Sequence, residues 1–202
     1  MKRNIENKEY DVVVIGGGLS GICAAIAAAR HGAKTALVQD RPVLGGNASS
    51  EIKMHICGAD IHATKPNTRE TGIIEELLLT NRIRNPQQSF SVQDYVFEEI
   101  VRAEPNLDLY LNTRMRDVQM KDNVIVSIEA EQMTTEKLYC FCARYFADTT
   151  GDGFLGYCAG AEFMYGRESR YEFNEKDSPE THDNKLMGNS LMFTAKDMGY
   201  PV

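Results

Sequence analysis

Residues 11–21 read DVVVIGGGLSG, and residues 36–40 read ALVQD. The first stretch opens as a continuous apolar run rich in β-branched residues, the pattern of a parallel strand buried on both faces. The Ala-rich ICAAIAAARHG of residues 22–32 is a strong helix former, with Gly32 in the position of a C-terminal cap. KTALVQD, residues 34–40, makes a second short strand, so the whole is a βαβ unit of about 30 residues. Gly16, Gly18 and Gly21 fit G-x-G-x-x-G in the required place, between a predicted strand and a predicted helix. The first glycine permits a tight turn, the second lets the backbone approach a pyrophosphate, and the third allows close helix–strand packing. The helix N-terminus, at Leu19 and Ser20, adds free amides and a positive dipole end.

In such a site an acidic side chain about 20 residues after the glycines ordinarily binds the adenosine ribose. Here Gln39 stands at that place, with Asp40 beside it and Arg41 next. A Gln carbonyl can accept from a ribose hydroxyl without the strength of a charge-assisted bond, and Asp40 can substitute if the strand ends one residue later. The ribose contact therefore stays open among these positions.

RPVLGGNASSE follows at residues 41–51 and ADTTGDG at 147–153. Gly45 and Gly46 let the backbone pass close to a pyrophosphate, and Asn47, Ser49 and Ser50 can donate to phosphate or ribityl oxygens. The Gly-Gly pair after the second strand resembles the FAD-dependent oxidoreductases of the glutathione-reductase-like superfamily. LGGNASSEI followed by DTTGDGFLGYCAGAE is similar to one FAD-dependent oxidoreductase family in which both occur in this order. The resemblance covers residues 11–202. It implies FAD as cofactor, with Thr150 and Gly151 approaching it, Asp152 meeting a cofactor hydroxyl or fixing the loop, and backbone groups of Met115 passing the adenine. It also implies a C-terminal segment that completes the flavin site. The chain stops at DMGYPV, so the expectation is an N-terminal portion, with the domain incomplete at its C-terminus.

The rest of the chain reads as scaffold. Residues 41–71 are irregular, a length usual for functional loops. Helical spacing follows at residues 70–83. A second helix is predicted over 91–103, with Ser91 and Asp94 as a capping box. From residue 109 the period changes to two, which predicts three strands over 109–120, 123–133 and 137–151. Residues 167–185 are polar and aperiodic. The expected fold is α/β: a Rossmann-like FAD/NAD(P)-binding domain with a parallel sheet over 1–165, carrying a loop and helix insertion over 41–90 and a β-meander over 109–147. Residues 166–202 would begin a substrate-binding region.

His55 and Cys57, in KMHICGAD, are weak catalytic candidates by the same resemblance, because they lie in the general region where some such flavoproteins attach FAD covalently. The alternative is a packed loop with a buried Cys and a satisfied His. A zinc site of His55, Cys57 and His62 fails the usual pairing rules, so no metal is expected. Cys140 and Cys142 share one side of a strand and read as core filling. Arg69, Arg82, Arg84 and Arg170 can each clamp a carboxylate, although surface charge is the plainer reading.

With 22 Lys and Arg against 29 Asp and Glu the formal charge is −7, and no basic run is long enough for a series of phosphates, which argues against nucleic acid. The charged opening MKRNIENKEY lacks the apolar core of a signal peptide, and no membrane span is read. Five scattered cysteines fit a reduced, cytoplasmic protein. The function expected is transfer of a hydride or two electrons between FAD and a small organic substrate. The alternatives are an NAD(P)-dependent oxidoreductase, or a truncated, non-catalytic remnant without cofactor. The oligomeric state stays open.

Overall fold

The computed structural model describes residues 4–58, 65, 68–188, 192–193 and 195–200. In chain order the elements are β1 (Ile5–Ile15), α1 (Leu19–Arg30), β2 (Thr35–Val38), α2 (Ile73–Arg84), α3 (Phe90–Arg102), β3 (Leu107–Tyr110), β4 (Thr113–Lys121), β5 (Val124–Gln132), β6 (Lys137–Asp148) and α4 (Phe154–Cys158). Six strands form one sheet in the order β3-β2-β1-β6-β5-β4. β3, β2, β1 and β6 run parallel, while β4, β5 and β6 form an antiparallel meander. The strand β6 therefore belongs to both parts and fixes one to the other.

Side-chain alternation along β1 and β2 divides the core into two. Val14 and Leu37 face a cluster with Ile22 and Ile26 of α1, Leu77 of α2, and Val96 and Phe97 of α3. Val13, Ile15 and Val38 point to the other face, with Met115, Ile128 and Phe141 of the meander and Leu155 of α4. The alanines of α1 let it lie close on the sheet. Gly32, at φ 89, lets the chain leave the helix in the left-handed region.

Four local expectations are corrected. The first strand begins at Ile5, ahead of the apolar run, because its charged first half pairs with β6 from Ile5 opposite Leu138 onward. There Glu6 meets Lys137 at 3.1 Å, and Lys8 lies over the Tyr139 ring at 5.7 Å. Residues 109–120 are not one strand: β3 joins the parallel sheet beside β2, and the chain turns at Asn112, with φ 52, before β4 starts the meander. Helix α3 has Ser89 as its N-cap, without a side-chain bond, so Ser91 and Asp94 are not a capping box. Lastly, Cys140 and Cys142 pair across with Glu129 and Ser127, on the face away from buried Tyr139 and Phe141, and do not fill the core.

Candidate functional site

The connection after β1 crosses to β2 on one side of it, and the chain returns as β6 on the other. Crevices open at such a switch point, beyond the C-terminal ends of the parallel strands. Here a cleft of about 830 Å³ lies between the loops that follow β1, β2 and β6, with Thr113, Arg114 and Met115 of β4 on a further wall.

Each glycine of the first loop has its own reason. Gly16 has φ 105, and a Cβ there would stand 2.5 Å from the Thr149 carbonyl oxygen. A Cβ on Gly21 would come within 1.8 Å of the Gly16 carbonyl oxygen, so Gly21 sets how closely α1 approaches β1. At Gly18 nothing lies within 4 Å of the Cβ position, which opens above an α1 N-terminus that no side chain caps. That combination, open space over unsatisfied helical amides, suits a pyrophosphate.

The second loop is fastened to the first. Gly45 N–H donates to the Gly17 carbonyl at 2.8 Å, and a Cβ on Gly46 would touch the Gly18 Cα at 3.2 Å. Gly45 and Gly46 hold φ of 109 and 57, both in the region that glycine tolerates best. Gln39 completes this junction. It is 5% exposed; its Oε1 accepts from Gly17 N–H at 2.7 Å, and its Nε2 donates to the Val43 carbonyl at 3.2 Å. An amide is required here, since one end must accept and the other donate, which an ionised carboxylate cannot do.

The third loop closes the site from β6. Thr149 Oγ1 lies 2.8 Å from the Ile15 carbonyl and 2.7 Å from that of Gly16, fixing the turn after β1 from the far side. Asp148 accepts from Thr150 N–H and Oγ1–H with one oxygen, at 3.0 and 2.7 Å, and from Gly156 N–H at 2.8 Å with the other. Thr150 Oγ1 in turn accepts from Phe154 N–H at 2.8 Å.

The family model described as FAD dependent oxidoreductase matches residues 11–200. The chain belongs to that family. FAD, the cofactor expected from the sequence, is the one the family uses. Over 82 residues the chain is 34% identical to the aerobic glycerol-3-phosphate dehydrogenase of Staphylococcus haemolyticus (strain JCSC1435), a match covering 38% of this chain and 15% of that protein. Over 65 residues it is 42% identical to the pseudooxynicotine dehydrogenase of a Pseudomonas species, covering 30% of this chain and 13% of the relative. The match thus spans a small part of the length of either relative. Among solved structures, p-nitrophenol 4-monooxygenase PnpA of Pseudomonas putida DLL-E4 superposes with a TM-score of 0.55 at 15% identity, over 82% of this chain and 47% of that one. A geranylgeranyl bacteriochlorophyll reductase-like protein of Thermoplasma acidophilum gives 0.55 at 16% identity, over 81% of this chain and 45% of that one. At such identity the two structures speak for the fold alone.

Relative to this cleft the sequence-predicted residues fall into two groups. Gly16, Gly18, Leu19 and Gln39 line it, as do Asp40, Arg41, Gly45, Gly46 and Asn47. So do Met115, Thr150, Gly151 and Asp152. Gly21, Ser49 and Ser50 do not line it, and Ser20 lines the neighbouring groove instead. Ser49 is buried, with its Oγ accepting from Glu51 N–H at 3.3 Å. Ser50 N–H donates to both oxygens of Asp94, at 3.0 and 3.2 Å. Burial pushes the Asp94 carboxyl above the usual carboxylate range, against the opposing pull of Ser50. Gln93 Nε2 donates to the Ala48 carbonyl at 2.7 Å, so α3 supports the loop from beneath.

His55 and Cys57 are exposed and line the cleft, unlike the buried Cys of the packed-loop alternative; His62 lies outside the described residues. Arg41 binds Glu51 through two bonds of 2.9 and 2.8 Å, which raises the Arg41 pKa above its ordinary value. Glu51, Thr149 and Arg114 were not singled out by the sequence, nor was Asp148, whose carboxylate fixes the third loop. Among the described residues no group of three or more His, Cys, Asp or Glu could hold a metal ion, and no helix is long and apolar enough to cross a membrane.

Proposed function

We propose that this chain forms the FAD-holding part of an oxidoreductase acting on a small organic substrate. The observation that carries the reading is the open Gly18 position over the uncapped α1 N-terminus, facing a cleft of about 830 Å³. Bound FAD supplies the chemistry, accepting or giving a hydride or two electrons. The amides of Leu19 and Ser20 bind the pyrophosphate, and the lack of side chains at Gly45 and Gly46 lets the second loop come close to it. Asp40, exposed at the cleft, takes the ribose hydroxyls, because both ends of the Gln39 amide are committed elsewhere. Met115 stands at the adenine end, and Gly151, open around its Cβ position, lets the third loop approach the flavin side. In this reading residues 1–165 hold the cofactor and 166–202 begin the substrate region. A reducing, cytoplasmic setting belongs to it as well, given five scattered cysteines.

Calorimetric titration of the purified chain with FAD, NAD+ and NADP+ tests the assignment. Binding of FAD at least tenfold tighter than either nicotinamide dinucleotide supports it. Preference for a nicotinamide dinucleotide would refute it.

A further inference from the structure

Beside the FAD cleft lies a second cavity of about 520 Å³ between α1, α2 and the loop at residues 56–58. Its size falls within the range of small-molecule sites. Ile74, Leu78 and Arg82, four residues apart along α2, line one wall in a single stripe, and Leu19, Cys23 and Ile56 form the facing wall. Leu19, Ile56 and Cys57 line both cavities, so the groove and the FAD cleft share a boundary at these three residues.

The charges in the groove are not equivalent. Arg69 pairs with Glu75 at 3.0 Å, and the Glu70 carboxylate sits against Gly58, where an added Cβ would stand 2.8 Å from its Oε1. Of the other arginines that could clamp a carboxylate, Arg84 pairs with Glu99 at 2.5 Å, and Arg170 donates to the Ser178 carbonyl at 3.2 Å. Among the described residues no carboxylate lies within ion-pair distance of Arg82. An apolar groove holding one uncommitted guanidinium is complementary to an anion with an apolar body.

We infer that the groove between α1 and α2 binds organic carboxylates with an apolar body, the carboxylate on Arg82 and the body along Leu78 and Ile74 toward Cys57. As a statement about the substrate class of the enzyme it rests on the FAD reading proposed above. As a binding site it stands on the groove itself.

The test is calorimetric titration of the purified chain with octanoate, and with 1-octanol as a neutral probe of the same apolar body. Octanoate is expected to bind. Arg82→Gln should weaken it about tenfold, the scale of one partly solvated charge-assisted bond, and leave 1-octanol unchanged. Arg82→Lys should retain part of the octanoate affinity. No octanoate binding to the parent chain, or equal binding to Arg82→Gln, overturns the inference. FAD is titrated in parallel: FAD binding without octanoate binding overturns the groove alone. Octanoate binding that depends on Arg82, without FAD binding, supports the groove and contradicts the FAD reading.

Discussion

Replacing Gln39 by Glu separates two readings of the same position by the sign of one effect. If Gln39 faced the ribose, Glu would restore the usual charge-assisted bond, worth about 1.5–3 kcal/mol, and tighten FAD binding by roughly tenfold to a hundredfold. The structure predicts the opposite. The Gln39 amide is buried between Gly17 N–H and the Val43 carbonyl. A carboxylate can still accept from Gly17, but its second oxygen would face the Val43 oxygen. The change loses one hydrogen bond, about 1 kcal/mol, and leaves an unsatisfied buried group costing about 1–3 kcal/mol more. Total destabilisation near neutral pH is therefore about 2–4 kcal/mol, with FAD binding weakened. Burial raises the folded-state pKa of such a carboxyl above its unfolded value, so the deficit is smallest at acidic pH, where a protonated Glu can donate to Val43. It grows as pH rises through the folded-state pKa. Urea unfolding of both chains at acidic and neutral pH, followed by circular dichroism, measures the first effect, and FAD titration the second. Unchanged stability at both pH values with tighter FAD binding would refute the assignment of Gln39 as a tether.

Four further outcomes are expected. Gly18→Ala should fold normally and lose at least tenfold in FAD affinity by titration, whereas Gly21→Ala should lower the thermal midpoint, because its Cβ would meet the Gly16 carbonyl at 1.8 Å. Asp148→Ala should destabilise the chain by about 1–2 kcal/mol in urea, since Thr150 and Gly156 lose their acceptor. The Tyr10 hydroxyl lies 2.7 Å from both Asp108 and Tyr110, and burial first, then these bonds, hold its pKa above the ordinary value. Its stabilisation is present below pH about 10 and falls as pH rises above the unfolded-state value. Tyr10→Phe should therefore cost about 1 kcal/mol at neutral pH and flatten the alkaline loss of stability measured by thermal unfolding across pH.

What could be read from the sequence follows the range of the interactions. The βαβ unit was legible because its signals are local: an apolar run, three spaced glycines, alanines and a terminal Gly32. The meander was legible from period two, and its turns fall at Asp122 and Glu136, which hold φ of 54 and 56. The corner between β3 and β4 had a signal in Asn112, a residue type that tolerates the left-handed region, although alternation ran through it. Other features depend on partners far along the chain. The charged start of β1 is a strand because β6 pairs with it, and Cys140 and Cys142 take the face that this pairing assigns. Asp94 looked like a cap from its spacing, but Ser50, far off in sequence, takes its carboxylate. At the third loop two aspartates flank Thr149 and Thr150, and composition does not say that Asp148 rather than Asp152 fixes the turn. Gln39 was visible as an exception, but its reason lay in the Gly17 N–H across the junction.

In the proposed function the loops after β1, β2 and β6 together hold FAD. The most direct measurement is an absorbance scan of the chain incubated with FAD and then passed through gel filtration, followed by acid precipitation. Flavin bands at about 370 and 450 nm should travel with the protein and be absent when Gly18→Ala is treated in the same way. Protein eluting without these bands, or equal flavin carried by Gly18→Ala, would contradict the proposed function.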